Sequence, residues 1–221
     1  MKNVSFLLLL TFASIIEALF CPTLTAKQNL LTAKLKNNSV VDIIKLDSED
    51  KAAFAKGKEV FMKTFLEVYK EYTPEELYLE NKPGYLESLI EAGFEGEEKD
   101  FNNKKQDVIF VVVKDIQSDE IIGFAAYDST ENSEKKIIYI RQLAIDAAYR
   151  KQGLGKTLIL DIIKIITQNQ PVVINVCTRK INAPAIEFYY KLNFQDTSMD
   201  NVHPELPKDK FCGFTLTLSR D

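Results

Sequence analysis

Histidine occurs once in this chain of 221 residues, as His203, and cysteine three times, as Cys21, Cys177 and Cys212. So little ligand chemistry excludes zinc clusters and histidine-based catalytic triads, and no metal is expected. His203 itself precedes Pro204 in a polar stretch and reads as a surface residue. Positive charge is not in excess either. A formal net charge of -4 and a pI near 5.3 argue against a general nucleic-acid footprint. Internal repeats and low-complexity tracts are absent, and a chain with 46% hydrophobic and 27% charged residues can bury one normal core as a single domain.

Two glycines that would settle the chemistry of residues 149 to 158, "YRKQGLGKTL", are also missing. A Walker A loop needs a glycine five positions ahead of Gly-Lys-Thr, so that backbone N–H groups can wrap a triphosphate, and Arg150 stands there. A dinucleotide fingerprint starting at Gly153 and Gly155 needs its third glycine where Leu158 is found. What is present is a basic cluster (Arg150, Lys151, Lys156), two glycines and an apolar helical pattern that begins at once. That combination still suits an anion.

The N-terminus, "MKNVSFLLLLTFASIIEALFCPTLTAKQ", has one early lysine and an apolar run from Val4 to Phe20, broken only by small polar residues and Glu17. "LTA" ends at Ala26 as a tolerable cleavage site, so residues 1–26 read as a secretory signal peptide and 27–221 as the domain. An uncleaved anchor and a mis-called start codon are the alternatives, although the run is marginal for the roughly 20 apolar residues of a spanning helix. Membrane contact is expected only through such a leader. Phe20 ahead of Cys21 speaks against a lipoprotein signal.

Along the rest of the chain, "VVDIIKLD" (40–47) predicts a strand, and Phe54, Phe61, Phe65 and Val68 recur at helical spacing up to about Tyr72. One or two short helices follow around the Pro83-Gly84 break, and residues 96–106 read as a polar loop. Strands are predicted at 107–115, 121–128 and 135–146, joined by loops short enough for a meander. A helix from Gly153 to about Gln168 is apolar around most of its circumference, which implies burial against a sheet. With strands before it and at 172–178, it makes a crossover between parallel neighbours. A helix at 183–193 and a strand at 210–219 close the chain.

The strand "IRQLAID", the loop and helix start "YRKQGLGKTLI", the strand "VVINVCT" and the run "NAPAIEFYYKLNF" together resemble the GNAT superfamily of N-acetyltransferases. The likeness is specific over about 137–194 and topological over about 40–220. It implies an α/β fold with a mixed, mostly antiparallel central sheet flanked by helices, whose β-α-β crossover carries the pyrophosphate loop for coenzyme A. By this resemblance the loop is Arg150, Lys151, Gln152, Gly153, Leu154, Gly155 and Lys156, and Asn182 contacts the same ligand. Backbone groups of Leu143, Ala144 and Ile145 would hold the pantetheine arm and thioester, and Tyr189 would be the general acid toward the leaving thiolate. The physics of the loop agrees, because bare glycine backbone at a helix N-terminus receives phosphate oxygens well. Some relatives carry a glutamate base near the position of Tyr139; no acid replaces it here, and the base stays unassigned.

The resemblance therefore implies acetyl-CoA as co-substrate and a primary amine as acceptor, either a small molecule or a protein lysine. An inactive binding or regulatory module on the same fold is the alternative. Eleven acids and three lysines between residues 67 and 100 give a local net charge of minus eight, which points to a cationic acceptor or to a solvated acidic face. The leader implies a secreted or exported protein, whereas the cytosolic supply of acetyl-CoA favours the cytoplasm. Cys177 and Cys212 would lie on adjacent strands in the family's sheet, where a disulfide after export is left open.

Overall fold

The computed structural model describes residues 28–77, 82–131 and 136–219. The leader, with Cys21, lies outside the described residues. Eight strands form one sheet in the order β1-β2-β3-β4-β5-β6-β8-β7. They are β1 (Gln28–Lys34), β2 (Val40–Lys45), β3 (Val108–Asp115), β4 (Ile121–Glu131), β5 (Lys136–Ile145), β6 (Val172–Arg179), β7 (Gln195–Thr197) and β8 (Phe211–Leu218). Every neighbouring pair is antiparallel except β5 and β6, which run parallel because a helix connects them.

Helix α1 (Lys51–Tyr69) and helix α2 (Tyr85–Asn102) cover one face of the sheet. Their apolar stripes meet β3 and β4 in an aromatic core of Phe54, Phe61, Phe94, Phe101, Phe110 and Phe124, all at most 6% exposed. The other face is covered by helix α3, formed by Leu154–Lys156, a π turn Thr157–Asp161 and Ile162–Ile166, together with α4 (Ala183–Lys191). Within the π turn the carbonyl of Leu158 accepts the hydroxyl of fully buried Tyr127 at 2.9 Å, so a backbone group freed by the wider turn is satisfied from the sheet. A short helix, α5 (Met199–Val202), sits between β7 and β8.

The expected loop at 96–106 is instead the last part of α2, which continues to Asn102. Polar spelling hid a buried face: Arg141 on β5 draws Glu97 (3.2 Å) and Asp100 (2.6 Å) inward, while Phe94 and Phe101 pack beneath them. Arg141 can reach them because β5 bulges. Ala126 pairs with Gln142 and Tyr127 with Ile140, which leaves Arg141 as the extra residue. No helix among the described residues is long and apolar enough to cross a membrane.

Candidate active site

β5 and β6 part company halfway along. Their pairing runs from Lys136–Val172 to Ile140–Val176 and stops there, although β5 stays paired to β4 as far as Ile145 and β6 to β8 as far as Arg179. A wedge therefore opens between two parallel strands, with the β5 residues Leu143 to Ile145 on its wall. Asp146 donates its N–H to the Ile122 carbonyl, and antiparallel alternation then turns the amide and carbonyl of Ala144 toward Phe124. The groups left facing the wedge belong to Leu143 and Ile145. The carbonyl of Ile145 already accepts Arg150 Nε at 2.9 Å and the Thr64 hydroxyl at 3.4 Å.

The glycine loop lies at the open end of the wedge. Lys151 and Gly153 take positive φ, 61° and 98°, and the chain then turns into α3. A Cβ on Gly153 would meet nothing within 4 Å, so that glycine answers a backbone requirement and faces open space. Gly155 answers a different one: a Cβ there would lie 2.9 Å from Phe188 Cζ, so the residue lets α3 approach α4. None of the amides of Lys151 to Lys156 donates to an acceptor among the described residues. Leu154 is 1% exposed, and only its backbone is available to a ligand. Arg150 does not add free charge to the loop, contrary to the sequence reading. Its Nη2 is paired with Glu67 at 2.9 Å, which leaves Lys151 and Lys156 as the exposed cations.

Tyr189 projects from α4 into an aromatic group with Phe188, Phe194 and Phe214. Burial raises its pKa, with the Cys177 thiol and Tyr69 hydroxyl acting in the same direction, so the phenol holds its proton at neutral pH. Its hydroxyl has no hydrogen-bond partner among the described residues. Asn182 caps α4, its side-chain oxygen accepting the N–H of Ala185 at 3.3 Å. Tyr190 points away to Asp196, as helical spacing predicts.

Three residues at the same place escaped the sequence reading or were misjudged by it. Tyr139 on β5 meets Cys177 on β6 with 3.1 Å between hydroxyl and thiol, at the level where the strands separate. Burial raises both their pKa values, so the thiol is not an activated thiolate. His203 is not a plain surface residue: its ring packs edge-on against Tyr139 at 5.7 Å, and its Nδ1 is buried without a partner among the described residues. Only a fold that returns the β7–β8 connection over β6 could show this. Cys177 and Cys212 are both free, and the register explains why. Cys212 opposes Thr178, the neighbour of Cys177, so the two thiols point to opposite faces of the sheet.

The acids of 67–100 are largely spoken for or dispersed. Glu67 pairs with Arg150, Glu98 with Lys58, Glu97 and Asp100 with Arg141, and Glu76 accepts the N–H of Thr73. Glu71, Glu75, Glu87, Glu91 and Glu95 are exposed.

A mixed sheet opened between its two parallel strands, with a glycine loop and helix N-terminus at the opening, is the architecture of an acetyltransferase. The acetyltransferase (GNAT) family profile matches residues 63–194, more than half of the chain, and the chain belongs to that family. Among solved structures it is similar to the PaiA N-acetyltransferase from Thermoplasma acidophilum in complex with coenzyme A, at 18% identity and a TM-score of 0.58, covering 80% of this chain and 99% of that one. A GNAT-family acetyltransferase from Listeria monocytogenes 4b F2365 gives 12% identity and a TM-score of 0.56, covering 85% and 100%. At those identities the likeness is one of fold. No curated protein matches by sequence.

Proposed function

We propose that this acetyltransferase uses acetyl-CoA as co-substrate and transfers the acetyl group to a primary amine. The observation that carries the reading is the run of unengaged amides from Lys151 to Lys156, set before α3 and beside the wedge between β5 and β6. Those amides, the α3 dipole, Lys151 and Lys156 suit a pyrophosphate. The amide and carbonyl of Leu143 and the amide of Ile145 suit the pantetheine arm and the thioester oxygen, and Asn182, which follows β6 and caps α4, would contact the same ligand. Tyr189, protonated, would give its proton to the departing thiolate of coenzyme A as the amine nitrogen bonds to the acetyl carbon. The amine proton would leave past Tyr139 and His203, whose rings pack against each other. The complex of PaiA with coenzyme A supports the choice of ligand through the shared fold.

The test is release of free thiol from acetyl-CoA in the presence of a panel of amines, with protein beginning at Lys27. Amine-dependent release is expected. If no amine accelerates release while acetyl-CoA still binds, the transfer reading fails.

A further inference from the structure

Arg179 ends β6 on the same face as Cys177, because side chains two residues apart on a strand share a face. Its surroundings differ from those of the other described arginines. Arg141 has a carboxylate at 2.6 Å and Arg150 one at 2.9 Å. Arg179 has none within ion-pair distance among the described residues. One nitrogen, Nη1, donates to the Leu77 carbonyl at 3.1 Å, and the guanidinium lies 5.2 Å from the Phe211 ring centroid and 6.0 Å from that of Tyr69. Burial works against its charge, and only Tyr69 acts in its favour. A guanidinium carries five N–H donors, so most of this fork has no acceptor among the described residues, in a partly desolvated place. A cation left so is costly unless an anion joins it.

Its position says which anion. Cys177, about 7 Å back along β6, touches Tyr139 where the strands part and where the acyl group would meet its acceptor. An anionic group at Arg179 would thus belong to the same small molecule as the reacting amine. We infer that the acceptor is an amine that also bears a carboxylate, and that Arg179 receives this carboxylate through its planar fork. A monoanion fits better than a phosphate dianion, since Arg179 is a single guanidinium with one unit of positive charge to offer. This inference rests on the transferase reading and deepens it by naming the class of acceptor.

Matched amines with and without a carboxylate decide the matter: lysine against cadaverine, ornithine against putrescine, tyrosine against tyramine. With acetyl-CoA saturating, kcat/KM should favour the carboxylated member of a pair by tenfold or more. Arg179→Gln should erase that preference mainly through KM and leave acetyl-CoA affinity within about twofold, and Arg179→Lys should restore part of it. A wild-type protein that treats both members alike or prefers the decarboxylated one overturns the inference. So does Arg179→Gln lowering both members equally, which would mark the arginine as a clamp on Leu77. Calorimetry of the same pairs against the acetyl-CoA-loaded protein reads the preference without turnover. Absent thiol release would then count against transfer alone, and absent binding of either member would count against the inference.

Discussion

Tyr189 carries the proton-donor role in the proposed transfer although its surroundings are those of a core residue. It is 6% exposed and touches three phenylalanine rings, yet its hydroxyl has no partner among the described residues. A tyrosine retained for packing alone would lose little as phenylalanine, because the ring and its contacts remain. Tyr189→Phe should therefore leave the urea midpoint of unfolding within the equivalent of about 1 kcal/mol. Removing a proton donor from the thiolate should instead lower kcat by about 10²-fold, with KM for acetyl-CoA little changed. Stopped thiol-release assays and urea titrations on the same preparation check both halves, and an unchanged kcat would return Tyr189 to the core. Tyr189 was singled out in the sequence through the resemblance of its run to the family's, with Asn182 seven residues before it. Tyr139, Arg179 and His203 were not, since what sets them apart is their neighbours, brought to them by segments far apart in the chain.

At the scale of elements, α2 is tied to the β5 bulge by two acids on one arginine, and the two respond to pH in opposite directions. Burial raises the pKa of Glu97 above its usual 4.5, and Arg141 and Gln142 only partly offset this. For Asp100 burial also pushes upward, but the hydrogen bond and charge of Arg141, helped by Lys105, outweigh it and the pKa is lowered. A group whose folded pKa is raised stabilises most below its unfolded pKa and loses that contribution as pH rises through the folded value. A group whose folded pKa is lowered stabilises above its unfolded pKa and loses that contribution as pH falls. Relative to wild type, Glu97→Gln should thus become more destabilising as pH drops from 7 toward 4, and Asp100→Asn less so. Urea midpoints at three pH values across that range check the signs, and parallel pH trends for the two variants would mean that the acids do not share Arg141 as described. The same cluster explains why residues 96–106 read as a loop. Acids spaced three apart look solvated until a partner 41 or 44 residues away, on a bulge that no local pattern announces, turns them inward.

For the whole molecule, the decisive feature is that β5 and β6 each follow their own antiparallel partner after Ile140 and Val176, so that the sheet opens where the crossover helix begins. Strand-helix-strand spacing made the parallel pair readable in the sequence, and short loops made the β3–β5 meander readable. The edge strand β1 and the three-residue β7 were not, because neither carries an alternation long enough to stand out and both are defined by the strand beside them. An opening lined with unpaired amides has a consequence for the stability of the entire fold. A ligand that binds only the folded state stabilises it by about 2.7 kcal/mol at 100 times its dissociation constant. For a domain of this size that is a rise in Tm of roughly 5–10 °C. Acetyl-CoA should produce such a shift, and acetyl-pantetheine, which lacks the pyrophosphate, should produce much less. Gly153→Glu places a side chain on a backbone at φ 98° and a negative charge at the loop, so its own Tm should drop by a few degrees and the acetyl-CoA shift should vanish. Thermal melts of both proteins with each ligand measure all of this. A full acetyl-CoA shift in the Gly153→Glu protein would show that the pyrophosphate is held somewhere other than this loop.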